Sequence, residues 1–188
     1  MIPGREALLK PLSVVVTGSE CTGKTTLAAA LATRFGCPWS PEFARRHAEA
    51  VGATLGSEDV EPIARGQRDA EDAATAIAER LVVHDTDLVS TLVYARHYYG
   101  ACPDWIEEAA RARRADLYLL LHPDTAWASD GVRDRPRHRE EMHALFGATL
   151  AELGAVVVEV RGPWEKRRLT AEQAVAAALA ARAGQRRA

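Results

Sequence analysis

Gly18-Ser19-Glu20-Cys21-Thr22-Gly23-Lys24-Thr25 decides the reading of this chain. It is a glycine-framed loop set directly after the apolar run Ser13-Val14-Val15-Val16-Thr17 and directly before a helical pattern. Gly18 and Gly23 let the backbone curl so that the N–H groups of Ser19, Glu20, Cys21 and Thr22 converge on an anion. The helix that follows turns its positive end to the same point. Lys24 is the mobile charge for the β- and γ-phosphates of a nucleoside triphosphate, and the Thr25 hydroxyl is a ligand for the Mg²⁺ that bridges them. Thr26 is a candidate for an α-phosphate contact. Leu27, Leu31 and Phe35 recur on one helical face, so the strand, loop and helix that the motif requires are all present.

Composition bounds what surrounds this loop. A chain of 188 residues, 47% hydrophobic and 27% charged, holds one substantial core and is read as one domain over 1–188. A formal charge of -2 gives no electrostatic reason to expect nucleic acid or an anionic membrane as partner. Arg111, Arg113 and Arg114, and the pair Arg186-Arg187, are expected on solvated surface. Cys21, Cys37 and Cys102 are odd in number and lack metal spacing, which fits a reducing compartment; Cys21, beside bound phosphates, is a candidate for oxidation sensitivity. No secretory signal and no apolar run of about 20 residues is seen, so a cytoplasmic protein is expected.

Apolar runs alternate with helical patterns along the chain, which predicts an α/β fold: a parallel five-stranded sheet between helices. The strand and phosphate-loop helix occupy 10–40, where Cys37-Pro38-Trp39-Ser40 supplies the second strand. A long helix is expected from Ser57 to Arg80, with Ser57 opening it. Leu81-Val82-Val83-His84 is the third strand, running into Asp85-Thr86-Asp87. Helices over Leu88–Tyr99, Pro103–Arg114 and Glu140–Leu153 flank the strand Leu117–Leu121, and Ala155–Val160 is the last strand. After a Gly162-Pro163-Trp164 turn, Thr170-x-x-Gln173 reads as a capping box for the final helix, and 184–188 as a frayed tail.

In such sheets ligands gather at the carboxyl ends of the strands. Asp85 stands where a carboxylate would meet Mg²⁺, and Asp87 either joins it or caps the next helix. Glu42 follows the second strand, where it would take a proton from an attacking hydroxyl, hold a sugar hydroxyl, or simply face water in a first helical turn. Arg45 and Arg46 would bind phosphate or pair with acids. The arginine-rich stretch 123–139 is the candidate lid: Arg133 and Arg135 would close over the γ-phosphate, and Gly131 would serve as hinge. Trp39, Trp127 and Trp164 lie near strand ends where a ring stacks on a base. The six histidines show no metal spacing and are read as structural or surface groups.

The chain resembles the ribosylnicotinamide kinase module at the C-terminal end of bacterial NadR proteins, together with stand-alone P-loop ATPase/kinase relatives. The resemblance is carried by the loop Gly18–Leu27, Pro41-Glu42-Phe43-Ala44-Arg45, Gly66-Gln67 and Asp85-Thr86-Asp87. Trp127-x-x-Asp130-Gly131-x-Arg133 and Gly162-Pro163-Trp164-x-x-Arg167 extend it. It implies a nucleoside/nucleotide-kinase-like P-loop NTPase fold with an arginine-bearing lid, ATP and Mg²⁺ as cofactors, and γ-phosphoryl transfer to the 5′-hydroxyl of nicotinamide riboside. It also implies ATP and Mg²⁺ at Lys24 and Thr25, the acidic strand end at Asp85 and Asp87, the acceptor side at Glu42, and adenine near Trp164 and Arg167. No helix-turn-helix or H-x-G-H pattern is present, so neither DNA-binding repression nor dinucleotide synthesis is expected.

Other readings keep the motif and change the task. Another nucleoside, a deoxynucleoside or a nucleoside monophosphate as acceptor needs only a different pocket, and a monophosphate would call on Arg45, Arg46 or Arg96. A regulatory ATP-binding switch would bind ATP without acceptor-stimulated turnover. An AAA-type motor ranks last, since the chain is short for a helical lid domain and oligomer-forming elements.

Overall fold

The computed structural model describes residues 10–52, 54–124 and 138–185. β1 (Leu12–Gly18) is the centre of a wholly parallel sheet, with β3 (Leu81–Asp85) on one side and β4 (Leu117–Leu121) on the other. β2 (Trp39–Ser40) and β5 (Val157–Val160) complete the order β2-β3-β1-β4-β5. The expected five-stranded parallel sheet is therefore found.

Alternation along the strands divides the core in two. Val14 and Val16 of β1, with Leu117, Leu119 and Leu121 of β4, face α1 (Lys24–Phe35) and α7 (Trp164–Gln185). Val15, Tyr118 and Leu120 point the other way. They meet α3 (Val60–Ala76), α4 (Leu88–Tyr99), α5 (Asp104–Ala112) and α6 (Arg139–Glu152). Successive side chains of a strand leave on opposite faces, so an uninterrupted apolar run is what a sheet covered on both sides demands. Leu27 and Leu31 of α1 are fully buried, each contributing about 1.5–3 kcal/mol by removal from water, and Leu27→Ala would cost about 2–5 kcal/mol.

Register then places the chemistry. Val16 pairs with Asp85 and Gly18 with Leu121, so the phosphate loop, the acidic end of β3 and the end of β4 emerge side by side. α2 (Phe43–Val51) starts directly past β2 at the same end of the sheet.

Four boundaries differ from expectation. The long helix is a 3₁₀ turn over Ser57–Asp59 followed by α3, and Asp59, not Ser57, caps the segment by accepting the Gly56 N–H at 2.8 Å. α3 stops at Ala76 because Ile77, 74% exposed, leaves the helix and the chain must reach Arg80, whose carbonyl accepts the Leu12 N–H. β5 is shorter than the run Ala155–Val160. The final helix begins six residues before Thr170: the Arg167 N–H already bonds the Pro163 carbonyl at 3.1 Å, which leaves Thr170-x-x-Gln173 inside α7 and Gly184 and Gln185 helical.

Candidate active site

The phosphate loop is built from positive-φ residues and internal bonds. Gly18 has φ 133°, and a Cβ there would lie 2.8 Å from the Leu121 carbonyl oxygen, so only glycine lets β4 pass so close. Gly23, φ 87°, opens α1, and its carbonyl accepts the Leu27 N–H at 3.0 Å. Cys21 also adopts positive φ, at 54°. The Thr22 hydroxyl and the Lys24 ammonium both donate to the Ser19 carbonyl at 2.9 Å, which folds Lys24 along the loop. Cys21, Cys37 and Cys102 are free thiols, and burial pushes those of Cys37 and Cys102 up.

Thr25 follows Lys24 and donates its hydroxyl to Asp85 Oδ2 at 2.6 Å. Asp85 is fully buried, and its Oδ1 has no hydrogen-bond partner among the described residues. Burial holds this carboxyl at about 6, above the usual carboxylate range, and the charge of Glu42 adds to the rise. The Thr25 hydroxyl and the charges of Lys24 and Arg45 pull it down. A hydroxyl and an unsatisfied carboxylate oxygen side by side form a hard oxygen donor set, which fits Mg²⁺.

Asp87 lies elsewhere in the same turn. It caps α4, with Oδ1 accepting the Val89 N–H at 3.1 Å and Oδ2 accepting the Tyr118 hydroxyl at 2.7 Å. Of the two roles open to it in the sequence, the geometry gives it the cap. Behind it stands Glu71, buried, with Arg113 at 3.4 Å from Oε2. Burial raises both acids, and the charge of Asp87 raises Glu71 further, against the opposing pull of Arg113. Arg113 also pairs with Asp72, and Arg114 donates to the Leu153 carbonyl; both stay exposed, as expected, while tied to the fold by these bonds. His84, neutral because burial lowers it to about 4, bonds the Ser40 hydroxyl at 2.8 Å.

Between Asp85 and Asp87, Thr86 has φ 64°, a conformation costing a β-branched residue about 1–3 kcal/mol. Two bonds hold it: its N–H to the Val16 carbonyl at 3.0 Å, and its carbonyl to Gln67 Nε2 at 3.2 Å. Glu42 is at the N-cap of α2 and half-buried, near enough to Asp85 for its charge to register there. Arg46 lies over the Phe43 ring at 4.8 Å, and Arg96 is paired with Glu107 at 2.6 Å.

On the other side of the loop a cleft of about 560 Å³ is lined by Cys21, Thr22, Gly23, Thr26, Gly162 and Trp164, among others. Trp164 is 38% exposed there, an apolar ring open to a planar ligand. Arg167 is only 2% exposed. Its guanidinium donates to the carbonyls of Gly162, Thr22 and His122 at 2.7, 3.2 and 2.8 Å, and to Asp124. It thus fastens the phosphate loop to the ends of β4 and β5, a structural use that its motif does not reveal. Trp39 packs against the α1/α7 side of the core.

The candidate lid residues Trp127, Gly131, Arg133 and Arg135 lie outside the described residues. Arg139, counted at the lid's end, is the first residue of α6, and its guanidinium meets the Cys21 carbonyl at 3.3 Å. Gln67 and Glu71 had no assigned role from sequence. The available signal was that they share the buried stripe of α3 with Ala64 and Ala74, where polar residues have no reason to sit unless they have partners. His97, His138 and Glu141 meet at the surface, with Glu141 bonded to His138 at 2.9 Å; the histidines come from different helices, beyond any sequence spacing.

A family model described as AAA domain matches residues 13–167. The name is that of the motor class that motifs and length ranked last, but the match itself is to a P-loop domain. The trifunctional NAD biosynthesis/regulator protein NadR of Escherichia coli (strain K12) is 30% identical over 125 residues, 64% of this chain and 30% of NadR. A crystal structure of NadR with NR superposes with a TM-score of 0.75 at 31% identity, covering 88% of this chain and 51% of that one. A second, with NAD and AMP-PNP, gives 0.73 at 30% identity, covering 88% and 49%. The chain therefore spans about half the length of the NadR chains solved, and less of the curated sequence. Thymidylate kinase from Ehrlichia chaffeensis shares the fold, with a TM-score of 0.64 at 13% identity over 89% of this chain and 98% of that one. No helix among the described residues is long and apolar enough to cross a membrane. The phosphate loop, the parallel sheet and the kinase-like neighbours agree with the family match, and by it the chain belongs to the AAA-domain family of nucleotide-binding P-loop proteins.

Proposed function

We propose that this chain is an ATP-dependent kinase that transfers the γ-phosphoryl group to the 5′-hydroxyl of nicotinamide riboside, giving nicotinamide mononucleotide. The observation that carries the transfer reaction is the contact of the Thr25 hydroxyl with Asp85 at 2.6 Å, beside Lys24, with an unsatisfied Asp85 oxygen and with Glu42 close by. The choice of acceptor is supported by the 31% identity to NadR crystallised with NR.

In this reading the loop N–H groups and Lys24 bind and orient the phosphates, and Trp164 covers the adenine. Thr25 and Asp85 would hold magnesium, which when bound neutralises phosphate charge. Glu42, half-buried at the N-cap of α2 and close enough to Asp85 for its charge to register there, accepts the proton of the attacking hydroxyl. Arg133 and Arg135 would bring positive charge over the γ-phosphate, for phosphoryl transfer is largely positioning and charge neutralisation. A monophosphate acceptor would call on Arg45, whose charge reaches Asp85, since Arg96 is paired with Glu107 and Arg46 lies over the Phe43 ring.

The test is turnover of Mg-ATP by the purified protein against a panel of nucleosides and mononucleotides, each product identified by mass. Nicotinamide mononucleotide formed in clear preference is the expected result. Preference for another nucleoside would replace the acceptor, and acceptor-independent hydrolysis alone would replace the kinase with a regulatory ATPase.

A further inference from the structure

Gln67, 2% exposed in the middle of α3, joins the two loops that carry the acids of the site. Its Oε1 accepts the N–H of Phe43 at 2.9 Å, the peptide immediately after Glu42. Its Nε2 donates to the carbonyl of Thr86 at 3.2 Å, the residue between Asp85 and Asp87. We infer that Gln67 is a positioning residue that fixes the Glu42 loop against the Asp85 strand end and so sets the affinity for the acceptor independently of the nucleotide; this rests on the kinase reading above.

The need for such a bridge follows from the sheet. β2 pairs with β3 only at Trp39 with Val83 and Ser40 with His84, so the ladder stops before either loop begins. Beyond that point nothing in the sheet sets the distance from Glu42 to Asp85, and the carboxamide takes over where the ladder ends. A carboxamide of this reach accepts from one peptide and donates to the other; an ionised carboxylate would accept from both sides and find no proton for Thr86. The Thr86 bond is buried and the Phe43 bond partly so, and a lost partner at the buried Thr86 carbonyl is costly because water does not replace it. The neighbouring Gly66 sets how closely α2 approaches: a Cβ there would lie 2.2 Å from the tip of the Phe43 ring. The phosphate loop is closed by its own bonds and by Arg167, none of which involve Gln67. The described link between the two sides is the Thr25–Asp85 bond at 2.6 Å, which does not pass through Gln67.

The test is Gln67→Met, which keeps length and removes the bonds to Phe43 and Thr86 together with the side-chain bond to Glu71. Gln67→Glu stands alongside as the conservative variant, since a carboxyl buried beside Glu71 stays protonated and still accepts from Phe43 and donates to Thr86. Two readouts are taken: hydrogen exchange at the Phe43 amide and at residues 18–25, and steady-state constants for ATP and for whichever acceptor the wild-type protein phosphorylates. Expected for Gln67→Met are faster exchange at Phe43 with the phosphate loop unchanged, an acceptor KM raised roughly tenfold, and an ATP KM within about twofold. Gln67→Glu is expected to keep protection at Phe43 and an acceptor KM close to wild type at pH 7, the acceptor KM rising against wild type as the pH is raised and the carboxyl ionises, and it carries the test if the methionine variant does not fold. In Gln67→Met, equal movement of both KM values, no movement in either, or undiminished Phe43 protection would each overturn the inference, as would an ATP KM in Gln67→Glu that moves with the acceptor KM. A wild-type protein that phosphorylates a different nucleoside removes only the choice of acceptor; one that phosphorylates none defeats the kinase reading and this inference together, before any variant is made.

Discussion

The proposed nucleotide side and the proposed acceptor side of this site are built in opposite ways. The nucleotide side is a contiguous run, residues 18–25, whose binding groups are backbone N–H groups shaped by Gly18 and Gly23. The acceptor side is assembled from the end of β2, the middle of α3 and the end of β3, and is held by side chains: Gln67 to Phe43 and Thr86, and Tyr118 to Asp87. A site made of backbone tolerates side-chain variation and is legible as a motif. A site made of side chains across three elements can change its acceptor by small substitutions, and that is where specificity would be expected to vary within one fold.

Lys24→Ala is the strongest test of the nucleotide side. It removes the one mobile charge of the loop and is expected to lower phosphoryl transfer by roughly three orders of magnitude. Circular dichroism and the thermal midpoint should stay close to wild type, because the loop keeps the Thr22 bond to Ser19 and the Arg167 bond to Thr22. Turnover near the wild-type rate would move phosphate stabilisation to another cation.

Asp85→Asn acts where the two sides meet. Activity dependent on magnesium is expected to fall by about a hundredfold or more, since the carboxylate facing Thr25 is lost. Stability should move the other way. The folded carboxyl sits at about 6, above its ordinary 3.8, so the native state binds this proton more tightly than the unfolded chain does. Its stabilising contribution is present below about pH 4 and is lost as pH rises through 6. In metal-free buffer at pH 7.5 the asparagine variant is therefore expected to be about 1–3 kcal/mol more stable, the gap closing as the pH falls. Denaturant midpoints measured across pH 4–8 decide it; a variant destabilised at every pH would mean that the carboxylate is not a strained metal ligand.

What the sequence disclosed follows the same division. The apolar runs gave three of the five strands to within a residue, β1, β3 and β4, because burial on both faces leaves no alternative for Val14-Val15-Val16 or Leu117–Leu121. The phosphate loop was legible because its chemistry is local. Arg167 was visible as part of Gly162-Pro163-Trp164-x-x-Arg167, but its use was not: a buried guanidinium with four acceptors looks the same in sequence as one reaching for a ligand. Asp85 and Asp87 are two residues apart and separate into an acid facing Thr25 and a helix cap only once Thr86 adopts positive φ. The Thr170 capping box failed because the turn at Pro163 had already started the helix.

Gly66→Ala probes the acceptor side without touching a polar group. A methyl group here would meet the end of the Phe43 ring, which can swing aside, and alanine gains about 1 kcal/mol in helix propensity. Stability is expected to be nearly unchanged, while the displaced ring shifts the peptide after Glu42 and raises the acceptor KM about threefold to tenfold, leaving the ATP KM alone. If ATP affinity fell equally, the two sides would not be independent.

Trp164→Ala is the smallest expected effect and the mirror of the last. Its ring is 38% exposed at the cleft and is not among the residues packed into either core cluster, so its removal should leave the thermal midpoint within a degree or two. Loss of a stacking surface is expected to cost about 1 kcal/mol, which raises the ATP KM about fivefold and leaves the acceptor KM unchanged. The pair of variants forms a cross: Gly66→Ala moves one constant and Trp164→Ala the other. Their double variant should show both shifts in simple product, because sites with no shared partner add. A product that fails, with the two shifts amplifying each other, would mean that nucleotide and acceptor are coupled, with the Thr25–Asp85 bond the described link between them, and the division between a backbone-built side and a side-chain-built side would then hold for architecture but not for binding.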